Sequence, residues 1–144
     1  TDYRGTMWTY WENSMDTPPQ KISKFTHSRK NVLRGLHGDN ETWKHITCVY
    51  GAFYLVVVDY RKDSPRYLQW DSFTLDDKNC KSVLVPPGFL NGHLCLSDEC
   101  VFHYTQSYPN EYVDWEDQIS VKWNDKDLNI NWPIKNPILS ERDK

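Results

Sequence analysis

Apolar residues recur along the chain at short range and often in alternation, and no stripe of period 3.6 persists beyond two turns, so the pattern predicts strands and no substantial helix. The strongest segment is 52–60, AFYLVVVDY, where both alternating sets are apolar: Ala52, Tyr54, Val56 and Val58 on one, Phe53, Leu55 and Val57 on the other. A strand of this kind is buried on both faces, as in a sandwich or closed barrel. Gly51 separates it from a run at 45–50, and shorter runs follow at 82–85, 93–96, 101–106 and 119–123. The breaks between them carry turn chemistry, including Asp63-Ser64-Pro65, Asp76-Asp77, Pro86-Pro87-Gly88 and Ser97-Asp98. Many short strands with frequent turns predict an all-β fold, a jelly-roll barrel or sandwich. The first thirty residues, with Thr17-Pro18-Pro19, are less patterned and are expected to form an irregular or edge segment. The tail 131–144 carries Pro133 and Pro137 and is expected to be an extended arm packed on the barrel.

A chain of 144 residues fits one domain spanning 1–144. Such a chain buries roughly 68–70% of the surface its unfolded form exposes, enough for a core without metal or disulfide staples. The four cysteines, Cys48, Cys80, Cys95 and Cys100, form no C-x-x-C pair, the sequence contains no apolar run of 18 residues, and no secretory leader is expected. Reduced thiols in a cytoplasmic protein with no membrane span are therefore expected. Twenty acidic residues against 17 basic, with no basic block, exclude a nucleic-acid backbone as partner but leave room for one small anion held by a few arginines. The 7 Trp, 9 Tyr and 5 Phe suit a β-rich fold or a pocket that stacks on rings.

Candidate chemistry begins at Arg34-Gly35-Leu36-His37. In a regular strand, residues three apart project to opposite faces, so Arg34 and His37 converge only if Gly35 bends or bulges the chain. Lys44 before the buried strand, Tyr104 inside an apolar strand and Asp143 in a polar tail are further candidates that accompany His37. Each also has a structural reading, as a snorkelling lysine, a core tyrosine and a solvated terminal charge.

The ordered series RGLH (34–37), Lys44, VVVDYR (56–61), DSP (63–65), VPPGF (85–89), LSDE (96–99), WND (123–125), INWP (130–133) and ILSERD (138–143) resembles the dTDP-4-dehydrorhamnose 3,5-epimerase family over about Asp2 to Asp143. Gly38-Asp39, Thr42-Trp43-Lys44 and Trp132-Pro133-Ile134-Lys135-Asn136-Pro137 are more similar to members acting on 4-keto-6-deoxy sugars or heptoses in surface-polysaccharide pathways. The resemblance implies a cupin-type jelly roll, a homodimer, and a nucleotide-diphosphate 4-keto sugar as substrate, inverted at the third carbon, the fifth, or both. It makes His37 the base, Asp143 its partner, Lys44 the group facing the enolate oxygen and Tyr104 the acid on the opposite face. Arg34, Arg4 and Arg29 would receive the diphosphate, for which the planar arginine fork is suited.

Departures from the family pattern fall on substrate contacts. Upstream of RGLH, Ile22 and Lys24 stand where Gln and Asn are usual, Asn91-Gly92-His93 replaces H-G-F, and Asp39 replaces a glutamine. Lys24, Asp39, Asn91 and His93 are thus expected to contact a substrate different in detail. No organic cofactor is implied. The chain has no H-x-H pair, so a cupin-type metal site is disfavoured, though His37, Glu41, His45 and His93 would be its ligands if one existed. Two rival readings are a sugar 3,4-ketoisomerase, whose R-G-x-H-A-H pattern is broken by Gly38-Asp39, and a non-catalytic sugar-binding jelly roll, which needs no Lys44, Tyr104 and Asp143 together with His37.

Overall fold

The computed structural model describes residues 1–12, 16–113 and 115–144. Asn13, Ser14 and Met15, within the N-terminal stretch expected to be irregular, lie outside the described residues. Strands β1 (Gln20–Arg29), β2 (Leu33–Gly38), β3 (Trp43–Tyr50), β4 (Ala52–Asp59), β5 (Trp70–Asp76), β6 (Ser82–Val85), β7 (Phe89–Cys95), β8 (Glu99–Ser107) and β9 (Ile119–Ser120) form two antiparallel sheets. One has the order β1-β8-β3-β6 and the other β5-β4-β7-β2-β9. The jelly-roll sandwich expected from the strand pattern is the fold observed.

The double-sided apolar character of β4 has a direct structural cause. Its inward set, Phe53 and Leu55, meets Ile46, Cys48, Val85, Cys100 and Phe102 between the sheets. Its other set, Val56 and Val58, joins Leu33, Leu36, Leu90, Leu94, Leu128 and Trp132 on the outer face of the five-stranded sheet. That outer face is covered by the C-terminal chain rather than by a third sheet. Trp132 donates from Nε1 to the Trp123 carbonyl at 2.8 Å and packs against the Tyr54 ring at an interplanar angle of 65°. Ile138 bridges to Val32, and Leu33 donates its amide to the Ile138 carbonyl at 3.0 Å. Burying a large aliphatic or aromatic side chain stabilises by about 1.5–3 kcal/mol, so this arm is an integral part of the core. The four cysteines are free thiols, and Cys48, Cys95 and Cys100 are packed as small apolar groups.

One segment takes the edge form expected of it, as a regular strand, and two elements differ from the sequence expectation. The segment Gln20–Arg29 is a full edge strand, paired along β8, and its disguise is the run of polar side chains at Lys24, Thr26 and Ser28 that face inward. Strand β5 has no counterpart among the expected strands, because it is an edge strand whose residues are mostly exposed. The run at 119–123 pairs as β9 over only two residues, after which Val121 exchanges amide hydrogen bonds with Leu36 at 3.0 and 3.1 Å and the chain leaves to cover the sheet. Replacing Trp132 by Ala should lower the unfolding free energy by about 3–5 kcal/mol. Urea denaturation reads this, and a loss below about 1 kcal/mol would show that the arm does not support the sheet.

Candidate active site

The two sheets part at one end around a pocket of about 440 Å³. Strand β2 contributes Arg34 and His37 to its wall, and the way both reach it depends on Gly35. Opposite β7, Arg34 pairs with His93 and His37 with Asn91, so two residues of β2 are set against the single Gly92. This bulge turns two side chains that a regular strand would place on opposite faces into one pocket. Gly35 has φ of 133° and the peptide after it is cis. A Cβ at this position would collide with Gly92 Cα and lie 2.8 Å from the Asn91 carbonyl oxygen.

His37 Nε2 lies 2.6 Å from Asp143 Oδ1, with the two side chains 18% and 5% exposed. Asp143 belongs to a 3₁₀ turn, Glu141–Asp143, at the end of the C-terminal arm. Its other oxygen, Oδ2, accepts from the Gly35 amide at 3.3 Å. Burial works against the charged carboxylate, but the hydrogen bond and charge of His37, with the Gly35 amide, more than offset it and hold Asp143 below the ordinary aspartate range. An ionised carboxylate only accepts, so the proton shared with it sits on His37 Nε2 and leaves Nδ1 as the basic nitrogen.

From the facing sheet, β3 supplies Lys44 and β8 supplies Phe102, Tyr104 and Gln106. Lys44 is buried and donates from Nζ to Asn91 Oδ1 at 3.0 Å. Desolvation lowers its pKa to about 8, opposed by the charge of Asp39 and assisted by that of Arg142. Burial raises the pKa of Tyr104, with Lys24 opposing, so its hydroxyl remains protonated. His93, stacked on Phe102 with ring centroids 4.1 Å apart, has its pKa lowered to about 3 by desolvation and Arg34, and is a neutral ring. Arg34 donates from Nε to Ser28 Oγ at 3.0 Å, and Lys24 reaches the Tyr112 hydroxyl at 3.3 Å.

Of the expected site residues, the pocket gathers His37, Asp143, Lys44, Tyr104, Arg34, Lys24, Asn91 and His93. Three do not line it. Arg4 is exposed and paired with Asp2 at 2.6 Å. Arg29 is exposed at the last position of β1, opposite Glu99. Asp39 is turned into its own loop, where Oδ1 accepts from the amides of Glu41 and Thr42 at 2.8 and 2.7 Å, so it acts on Lys44 through its charge and not by lining the site. Among the described residues no three His, Cys, Asp or Glu side chains are grouped as a metal would require, and His37, Glu41, His45 and His93 do not form such a set.

Arg142, Gln118, Ser140, Tyr112, Thr26 and Gln106 line the pocket without having been anticipated. Gln106 was legible, since it shares the alternation of Tyr104 on β8. Arg142 was not, because only the closing turn of the arm brings it there, where it bonds Gln118 and Ser120.

Fold and site together define a jelly-roll protein with a histidine–aspartate pair facing a tyrosine and a buried lysine across a cation-rich pocket. The chain belongs to the dTDP-4-dehydrorhamnose 3,5-epimerase family, whose profile matches residues 1–144. It is 39% identical over 119 residues to the dTDP-4-dehydrorhamnose 3,5-epimerase of Shigella flexneri, a match covering 81% of this chain and 64% of that protein. The chain therefore spans a little under two thirds of the length of that relative. The crystal structure of the Bacillus anthracis dTDP-4-dehydrorhamnose 3,5-epimerase with TDP and PPi bound superposes with a TM-score of 0.91 at 32% identity, covering 99% of this chain and 85% of that one. That of the Legionella pneumophila dTDP-6-deoxy-D-glucose-3,5-epimerase in complex with dTDP-4-keto-L-rhamnose gives 0.90 at 29% identity, covering 99% and 79%.

Gly35→Ala should be severely destabilising, because both the left-handed φ and the contact with Gly92 oppose a side chain. A thermal melt indistinguishable from wild type would show that β2 tolerates another course.

Proposed function

We propose that this chain is an epimerase that inverts a carbon next to the keto group of a nucleotide-diphosphate 4-keto-6-deoxy sugar, hexose or heptose. The observation that carries this reading is the 2.6 Å pair of His37, on β2, with Asp143, on the closing turn of the arm, facing Tyr104 and Lys44 from the other sheet. A proton next to a carbonyl is weakly acidic, so its removal needs a base and a fixed cation where the oxyanion develops. His37 Nδ1 takes the proton, and Asp143 stabilises the imidazolium that results. The Lys44 ammonium faces the enolate oxygen, with Asn91 holding its direction. Tyr104 returns a proton to the other face of the planar enolate, which a single base on one side cannot do. Lys24, Arg34 and Arg142 supply positive charge for the diphosphate.

The relatives of known structure support the substrate class, since one holds TDP and PPi and another dTDP-4-keto-L-rhamnose. The reading includes a homodimer, for which Phe25 on β1, Leu84 on β6 and the N-terminal Met7 and Trp8 offer exposed apolar surface. It also includes a cytoplasmic setting, in keeping with four free cysteines. No helix among the described residues is long and apolar enough to cross a membrane.

Proton NMR in heavy water with a nucleotide-linked 4-keto-6-deoxyhexose tests the proposal. His37→Asn should slow deuterium incorporation about 10²–10⁴-fold. Tyr104→Phe should retain exchange while losing most of the inverted product, and wild-type inversion in that variant would assign the acid elsewhere. The Lys44 charge is present below its pKa of about 8 and is lost as pH rises through it, so turnover should fall on an alkaline limb centred near 8. A rate still climbing at pH 9 would remove Lys44 from the role.

A further inference from the structure

Two buried polar atoms of the pocket lining, His93 Nε2 and Gln106 Oε1, lack a hydrogen-bond partner among the described residues and have no part in the chemistry above. Gln106 lies on the inner face of β8, lines the pocket and is 2% exposed, and its Oε1 is buried without a hydrogen-bond partner among the described residues. Buried side-chain oxygens in native proteins are nearly always paired, and one left orphaned beside an open pocket marks the place of a missing donor. Gln106 is the cross-strand partner of Lys44. Directly opposed β-carbons stand about 4.5–5.5 Å apart on one face, so the two side chains leave β3 and β8 side by side toward the same pocket. Lys44 only donates and Gln106 Oε1 only accepts. A keto oxygen next to a carbon bearing a hydroxyl offers the complementary pair, an acceptor for the lysine and a donor for the amide oxygen.

We propose that Gln106 Oε1 accepts a hydrogen bond from the sugar hydroxyl on the carbon adjacent to the keto group, so that Gln106 selects substrates carrying that hydroxyl. The inference rests on the reading of the pocket as a 4-keto sugar site and adds to it a residue that discriminates among such sugars. The keto and hydroxyl oxygens on adjacent ring carbons, held from the same sheet, also fix the orientation of the ring toward His37 on the other. A site with a buried acceptor penalises a ligand that cannot satisfy it far more than one built of apolar groups.

The test compares dTDP-4-keto-6-deoxyglucose with its 3-deoxy analogue by titration calorimetry, using protein carrying His37→Asn so that the sugar is not altered. The protein with Gln106 intact should bind the hydroxylated sugar about ten- to a hundredfold more tightly. Adding Gln106→Leu or Gln106→Met, both of similar size without the amide oxygen, should bring the two affinities within about threefold of each other, with a melting curve reporting that the fold is kept. Equal affinities with Gln106 intact would overturn the proposal and leave Oε1 to a bound water, and a preference that survives both substitutions would overturn it as well. If neither substituted protein folds, the affinity ratio with Gln106 present decides. Deuterium exchange on the wild-type protein decides separately whether His37 is a base. Absent exchange with a Gln106-dependent affinity ratio would sink the epimerase reading and leave the hydroxyl contact standing.

Discussion

A sheet that is apolar on both faces has to be covered twice, and in this protein that requirement joins the fold to the site. The four-stranded sheet covers one face of the five-stranded sheet, and the chain from Val121 onward covers the other through Leu128, Trp132 and Leu139. Having crossed that face, the arm has to end near β2, to which Ile138 is hydrogen-bonded. The next turn then places Asp143 against His37 and the Gly35 amide. The same hydrophobic packing that stabilises the sandwich thus delivers a carboxylate to the pocket across 106 positions of sequence.

The chemistry of the pocket follows from which charges are compensated and how. Asp143 is buried, and it remains ionised because a histidine ring, an amide and a neighbouring arginine all favour the carboxylate. Lys44 is buried with an amide oxygen as its hydrogen-bond partner, so desolvation prevails and brings its pKa near the working range. Tyr104 is moved the other way and keeps its proton. Three ionisable groups of ordinary reference pKa are therefore separated into a ready carboxylate, a cation that is lost in mild alkali and a protonated donor. His93, in contact with Phe102, is held neutral and adds no charge to this set.

Strand β2 shows how little sequence this arrangement needs. One glycine in a left-handed conformation, opposite Gly92, sets two residues against one and so brings Arg34 and His37 into the same pocket. A side chain at Gly35 would meet backbone atoms of β7 rather than a flexible neighbour, so the position leaves no room for adjustment.

The sequence by itself determined the all-β class and the doubly buried strand β4, and singled out His37, Lys44, Tyr104 and Asp143, which the fold brings to one pocket, because alternation reports burial locally and ordered motifs report ancestry. It left β5 and the regularity of β1 obscure, since an exposed edge strand and an inward polar face both lack the apolar alternation by which strands are read. It also did not place Arg142 in the pocket, or show that Arg4, Arg29 and Asp39 do not line it. Those positions depend on where an arm ends, on which side of a loop a carboxylate turns, and on contacts between residues far apart in the chain. Only the packed tertiary structure decides them, because periodicity constrains which face a residue occupies and carries no information about what that face will meet.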